Sequence, residues 1–88
     1  MDAAAGPDAG PAQDALMTMW TIYDHPRDYP RSFVARRWVI RRGGEVVAED
    51  RLLVSDELQW LRQQMLEMGL FRIARNESDE PQVVETWI

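Results

Sequence analysis

The chain has 88 residues, which make one domain at most. It contains no cysteine, so disulfides, thiolate nucleophiles and cysteine-based zinc sites are excluded, and a cytoplasmic protein is expected. The formal net charge of −5 at pH 7 argues against sequence-independent nucleic-acid binding, because such binding depends on neutralising phosphates.

Residues 1–16 are predicted to form a disordered tail, and residues 17–88 a single domain. The tail, MDAAAGPDAGPAQDAL, is dominated by alanine, glycine, proline and aspartate, and Leu16 is its only branched aliphatic residue. Such a segment cannot bury enough apolar surface to offset the entropy lost on ordering. It lacks the basic start and apolar run of a secretory signal, and no later segment approaches the ~18 apolar residues of a membrane span. No membrane partner is therefore expected.

Three strands are predicted before the only helix. Residues 19–23 are rich in aromatic and β-branched residues and indicate the first strand. Pro26 and Pro30 then keep the chain out of a helix and predict a stiff connector. Residues 33–41 and 45–54 indicate a hairpin turned by Gly43-Gly44, a two-residue loop signal. In that register Trp38 faces Glu49, Arg37 faces Asp50, Arg42 faces Glu45 and Ile40 faces Val47.

The next residues predict a helix with defined ends. Ser55 is the expected N-cap, with two acidic residues in the first turn, and Gly69 ends the helix in a Schellman-type stop. Leu58, Leu61, Met65 and Met68 share one side of it. Residues 71–75 and 83–88 indicate two further strands joined by a polar loop. The order β-β-β-α-β-β predicts a small α+β domain, a mostly antiparallel sheet with one helix on one face.

Asp24, His25 and Asp28 are the residues that most suggest chemistry, because both types ligate metals and transfer protons. Their spacing fits no established ligand pattern, and aspartate beside proline is ordinary in turns. The chain has no second histidine for a triad and no glycine-rich phosphate loop. We therefore expect no enzyme activity, no metal and no cofactor, and interpret His25 as incidental.

The candidate interaction surface consists of Trp60, Arg27, Tyr29, Arg31 and Arg36. Trp60 lies about 200° around the helix from Leu58, opposite the apolar side. A tryptophan there either packs under another part of the chain or anchors a partner. The arginines and Tyr29 come from the connector and the second strand, where guanidinium and aromatic groups are concentrated.

The stretch MWTIYDHPRDYPRSFVARRW, the hairpin after it, a leucine-rich helix with a glycine stop and the final VVETWI resemble a group of short uncharacterised bacterial proteins. These share a WTIYDHPRDYP-like start, and the resemblance covers residues 19–88. It implies an independent cytoplasmic bacterial domain and no particular activity. From the residues themselves we predict a non-catalytic module that binds another protein or itself, as a homodimer. The alternative is a nucleic-acid-associated module using the arginine-rich hairpin 31–51 and its aromatic neighbours.

Overall fold

The computed structural model of the protein describes residues 15–88. They form a five-stranded sheet with one helix packed on it, which confirms the predicted α+β fold. Its elements, in chain order, are β1 (Ala15–Asp24), β2 (Phe33–Arg41), β3 (Val46–Ser55), α1 (Leu58–Glu67), β4 (Arg72–Ile73) and β5 (Val83–Trp87). Within residues 15–88, no helix is long and apolar enough to cross a membrane.

The strand order explains why the helix lies across the sheet. The order is β3-β2-β1-β5-β4, and every neighbouring pair is antiparallel. Because β3 and β4 lie at opposite edges, α1, which connects them, must cross one face. The apolar side of α1 thereby meets the central strands.

The core lies between α1 and that face. Leu61 and Met65 of α1 are fully buried against side chains of the central strands, which are Trp20, Ile22, Ala35 and Trp87. Full burial of one large apolar side chain contributes about 1.5–3 kcal/mol, so these contacts dominate the stability of the domain. The predicted apolar side of the helix is thus confirmed at its centre. Met68 at its end remains 46% exposed.

A buried ion pair also fixes α1 on the sheet. The guanidinium of Arg62 donates two hydrogen bonds to the carboxylate of Glu85 on β5, at 3.0 and 2.8 Å. The indole Nε1 of Trp87 donates a third, at 2.9 Å. Burial by itself would raise the pKa of Glu85, but these hydrogen bonds and the charges of Arg62 and Arg72 outweigh it and lower that pKa. Glu85 is therefore charged and fully engaged at neutral pH.

The two helix ends differ in how closely they follow the prediction. The Schellman stop is confirmed, since Leu70 N donates to Met65 O at 3.1 Å and Gly69, at φ 79°, donates to Leu66 O at 2.9 Å. The predicted N-cap is wrong, because β3 continues to Ser55 through its pairing with Phe33. The next two residues turn the chain, and Glu57 takes the N-cap position without a side-chain cap. The Ser55 hydroxyl instead accepts a hydrogen bond from Glu57 N at 3.0 Å.

The predicted hairpin register is wrong by one residue. Arg41 N donates to Glu45 O at 2.8 Å, so the loop has three residues, 42–44, with Gly43 and Gly44 both at positive φ. Trp38 therefore pairs with Ala48, and Ile40 with Val46. Farther along, residues 49–51 of β3 bulge opposite a single residue of β2. Because side chains alternate between the two faces of a sheet, a one-residue shift in register changes which β3 side chains lie on the same face as a given β2 side chain.

Three strand boundaries also differ from the prediction. β1 begins at Ala15, because its pairing with β2 extends that far, whereas the rest of the predicted tail, residues 1–14, lies outside the described residues. β4 has only two residues, although Phe71 and Ile88 exchange hydrogen bonds just beyond it. β5 ends at Trp87, one residue before the predicted end, and lies between β1 and β4.

Candidate functional site: the open face of the sheet

The face of the sheet opposite α1, here called the open face, carries the candidate site. Side chains alternate along a strand, so the neighbours of the core residues Ile22 and Ala35 point away from the helix. The strand registers place the open-face residues opposite one another, with Thr21 beside Arg36 and Met19 beside Trp38. Within residues 15–88 no helix covers this face.

The connector between β1 and β2, residues 25–32, folds into two turns at one end of the open face. Tyr29 N donates to Pro26 O at 2.9 Å, and Ser32 N donates to Tyr29 O at 3.2 Å. His25 has a positive φ of 50°, and its ring packs edge-on against Phe33 with 5.1 Å between the centroids. Its Nδ1 also contacts the carboxylate of Asp24. His25 thus shapes the bend at the start of the connector.

The connector and the sheet enclose a cavity of about 300 Å³, here called the connector compartment. Pro26, Arg27 and Asp28 form its outer wall, and Val34 and Arg36 lie on its floor. Asp28 Oδ2 is 3.6 Å from Arg36 Nη2, an exposed contact that contributes little to stability. This compartment therefore carries two guanidinium groups, of which one is partly neutralised.

A second cavity of about 450 Å³, here called the acidic compartment, adjoins it on the same face. Asp79 and Glu80 line it, and no lysine, arginine or histidine does. The two cavities share Tyr23, Trp38 and Glu80 and therefore adjoin at these side chains; together they are called the groove. The remaining residues of the acidic compartment are small, aliphatic or hydroxyl-bearing: Met19, Thr21, Val46, Ser78, Val83 and Thr86.

Tyr23 lies between opposite charges where the compartments meet. Burial raises the pKa of its phenol above the ordinary 10.0, and the nearby carboxylate of Glu80 raises it further. The guanidinium of Arg36 acts in the opposite direction and lowers that pKa, as do the nearby polar side chains of Trp38 and Thr21. The phenol is therefore neutral at physiological pH and can donate or accept a hydrogen bond within the groove.

The loop that forms the acidic wall, residues 76–82, is held by Arg75. The Arg75 guanidinium donates to three backbone carbonyls, those of Val83 at 2.9 Å, Glu80 at 3.2 Å and Asp79 at 3.3 Å. The Asp79 carboxylate accepts a hydrogen bond from Asn76 N at 2.9 Å. These hydrogen bonds engage backbone groups of the loop and thereby hold the backbone of Asp79 and Glu80 in place.

The structure separates the five residues predicted as an interaction surface. Arg27 and Arg36 meet in the connector compartment, and Tyr29 and Arg31 are exposed on the same connector. Trp60 lies on α1, which covers the other face of the sheet, and is 44% exposed. Arg27 and Arg36 therefore belong to one end of the groove, Tyr29 and Arg31 belong to the connector beside it, and Trp60 belongs to a different surface.

Two of the six arginines in hairpin 31–51 are paired with acids of the same hairpin. Arg37 Nη1 is 2.6 Å from Glu49 Oε1, and Arg41 Nη1 is 3.6 Å from Glu45 Oε1. The alternation along β2 also directs Arg36 and Arg37 to opposite faces. The arginines of β2 are thus divided between the two faces of the sheet, and Arg37 and Arg41 are held by acids of β3 and its turn.

The loop carboxylates and His25 do not assemble a metal centre. Among residues 15–88 no three His, Asp or Glu side chains lie close enough to hold a metal ion. Asp28 turns instead toward Arg36, and Asp24 contacts the adjacent His25.

Tyr23, Trp38 and Glu80 are the groove residues that sequence reasoning did not single out. Period-two alternation places Tyr23 and Thr21 on one face, so part of the signal is present in the sequence. Glu80 lies on the 76–82 loop, far along the chain from Tyr23 and Trp38, and no local sequence pattern predicts that it joins them. No family model, curated protein or solved structure matches this chain.

Proposed function

We propose that this protein is a non-catalytic, cytoplasmic module that binds another protein through the groove on its open face. One observation carries the proposal: the uncovered face bears exposed aliphatic side chains and two half-buried aromatic rings among its polar groups. Val46 is 51% and Val54 41% exposed there, beside the half-buried Trp38 and Tyr23. The outward face of an antiparallel sheet usually alternates to polar residues, and exposed apolar patches commonly mark binding sites.

The shape of this face favours an inserted segment over a flat sheet-to-sheet dimer. Two packed sheets approach to about 10 Å with interdigitating side chains. Here the connector rims one end of the groove and the 76–82 loop rims another side. A chain segment of a partner fits between these rims, whereas a second copy of the same face would meet them.

The alternative, a nucleic-acid-associated module, has weaker support. Three of its six arginines on hairpin 31–51 pair with Asp28, Glu45 and Glu49, and the groove itself carries acidic residues. Strong nucleic-acid binding needs several free cationic contacts to phosphate. The nucleic-acid alternative predicts that the protein shifts the electrophoretic mobility of an oligonucleotide at low ionic strength and that the shift disappears as salt is added.

Site-specific photo-crosslinking in the source organism tests the groove. A photoreactive phenylalanine analogue replaces Val46, which lines the groove, or Leu66, which is 57% exposed on α1 and serves as the matched control position. We expect a discrete heterologous adduct from position 46 that is lost when Trp38→Ala is added. An adduct from position 66 alone would place the interface on the helix side. An adduct of twice the chain mass from position 46 would instead support self-association.

A further inference from the structure

We infer that the acidic compartment accepts the side chain of an arginine or lysine from the partner protein, seated over the rings of Tyr23 and Trp38 beside Glu80. The inference rests on the proposed function, since it names the chemistry by which the groove would recognise its partner.

The first argument is the charge of the compartment. Its lining includes two acidic residues and no basic one. Within residues 15–88 neither carboxylate takes part in an ion pair, and Arg75 contacts only backbone oxygens of this loop. Asp79 is partly satisfied by Asn76 N, so Glu80 is the carboxylate with most capacity left. A carboxylate without an ion-pair partner at a concave surface attracts a cation.

The second argument is the aromatic content of the same compartment. Tyr23 and Trp38 both line it, on adjacent strands β1 and β2. A cation within about 6 Å of a tyrosine or tryptophan ring centroid is attracted by the ring quadrupole, most strongly for tryptophan. The side-chain hydroxyls of Thr21 and Thr86, which face each other across β1 and β5, can accept additional hydrogen bonds from a guanidinium or ammonium group.

The difference between the two ends of the groove explains why the cation belongs to a polypeptide. The adjoining connector compartment is lined by Arg27 and Arg36 as well as by Asp28 and the shared Glu80, whereas the acidic compartment has no basic residue, so guanidinium groups occur at one end of the groove only. A free small cation would use only the acidic compartment. A polypeptide lying along the groove places a basic side chain over Tyr23 and an acidic or carbonyl group near Arg27.

Nuclear magnetic resonance titration of the full chain provides the test. The probe is the end-capped tripeptide Gly-Arg-Gly, and the matched neutral probe is end-capped Gly-Gln-Gly. We expect a saturable shift of the Trp38 indole N–H resonance, assigned with Trp38→Phe, and roughly threefold to thirtyfold weaker binding of the glutamine peptide. Equal binding of the two peptides would overturn the inference, as would absence of any shift.

Two variants in one loop separate the role of Glu80 from general acidity. Glu80→Gln should weaken the arginine peptide severalfold, whereas Glu77→Gln should leave it unchanged, because Glu77 is exposed on the same loop and does not line the compartment. Equal affinities of Glu80→Gln and the unmodified protein would refute the inference. If the position-46 adduct then persists in Glu80→Gln, partner binding through the groove stands and only the basic-residue recognition falls.

Discussion

Replacing Glu85 by glutamine tests whether the buried ion pair holds α1 on the sheet. The Glu85 side chain is only 5% exposed and that of Arg62 is 26% exposed, so water replaces their contacts poorly. The carboxylate accepts three hydrogen bonds, two from Arg62 and one from Trp87. Glutamine has nearly the same volume but offers one oxygen, and its amide N–H₂ would face the donors of Arg62.

The expected loss follows from the number and burial of these contacts. A hydrogen bond to a charged group contributes about 1.5–3 kcal/mol, and removing one partner of a fully buried pair costs about 3–5 kcal/mol. Arg62 retains some access to water, and the amide oxygen retains one acceptor. We therefore expect Glu85→Gln to lower the free energy of unfolding by about 2–3 kcal/mol, or the melting temperature by roughly 10–20 °C.

Urea denaturation followed by circular dichroism at pH 7 measures this change. Glu67→Gln is the matched control, because Glu67 is exposed on α1 and makes only a 3.3 Å hydrogen bond with Gln63. It should change stability by no more than about 0.5 kcal/mol. If Glu85→Gln lies within the same range as the control, the ion pair does not stabilise the fold and the reasoning is wrong.

Three further predictions address the same structure. The pKa of Glu85 is lowered below its ordinary 4.5. The stabilisation by its charged form is therefore present above pH 4.5 and is lost as the pH falls through the lowered pKa. The difference in unfolding free energy between the original protein and Glu85→Gln should accordingly shrink between pH 7 and pH 3. Burial raises the pKa of Tyr23 above 10.0. In a Tyr29→Phe variant, where Tyr23 is the remaining tyrosine, a pH titration followed by tyrosinate absorbance should therefore have a higher midpoint for the folded protein than for the urea-unfolded chain. Equal midpoints would place Tyr23 in solvent. Gly69→Ala should cost about 1–2 kcal/mol in urea denaturation through backbone strain alone, since Gly69 has φ 79° and an added Cβ would meet nothing within 4 Å; an unchanged midpoint would contradict the Schellman geometry.

The elements that local sequence determines were predictable. The helix required only the spacing of Leu61 and Met65 and the glycine at its end, because apolar periodicity and a left-handed C′ residue act within a few residues. The order of elements along the chain, β-β-β-α-β-β, followed from aromatic and β-branched runs between turn residues. Local signals of this kind were enough to give the fold class.

The groove was not predictable, because it depends on register and on a distant loop. The two-glycine turn suggested a two-residue loop, yet the hairpin closes at Arg41 and Glu45 with three residues between them. That single residue decides that Trp38 faces Ala48 and not Glu49. Glu80, which completes the acidic compartment, lies 42 residues after Trp38 in the chain and is positioned by Arg75.

The two faces of the sheet separate folding from the proposed recognition. The helix-side face holds most of the buried apolar residues and the Glu85 ion pair, so substitutions there act mainly on stability. Residues of the groove such as Glu80 are exposed, and exposed side chains away from caps and cores change stability little. Loss of partner binding in Glu80→Gln can therefore be attributed to the groove without a folding defect. Because Trp60 is exposed on α1, on the other side of the sheet, a substitution of Trp60 serves as a control for substitutions on the open face.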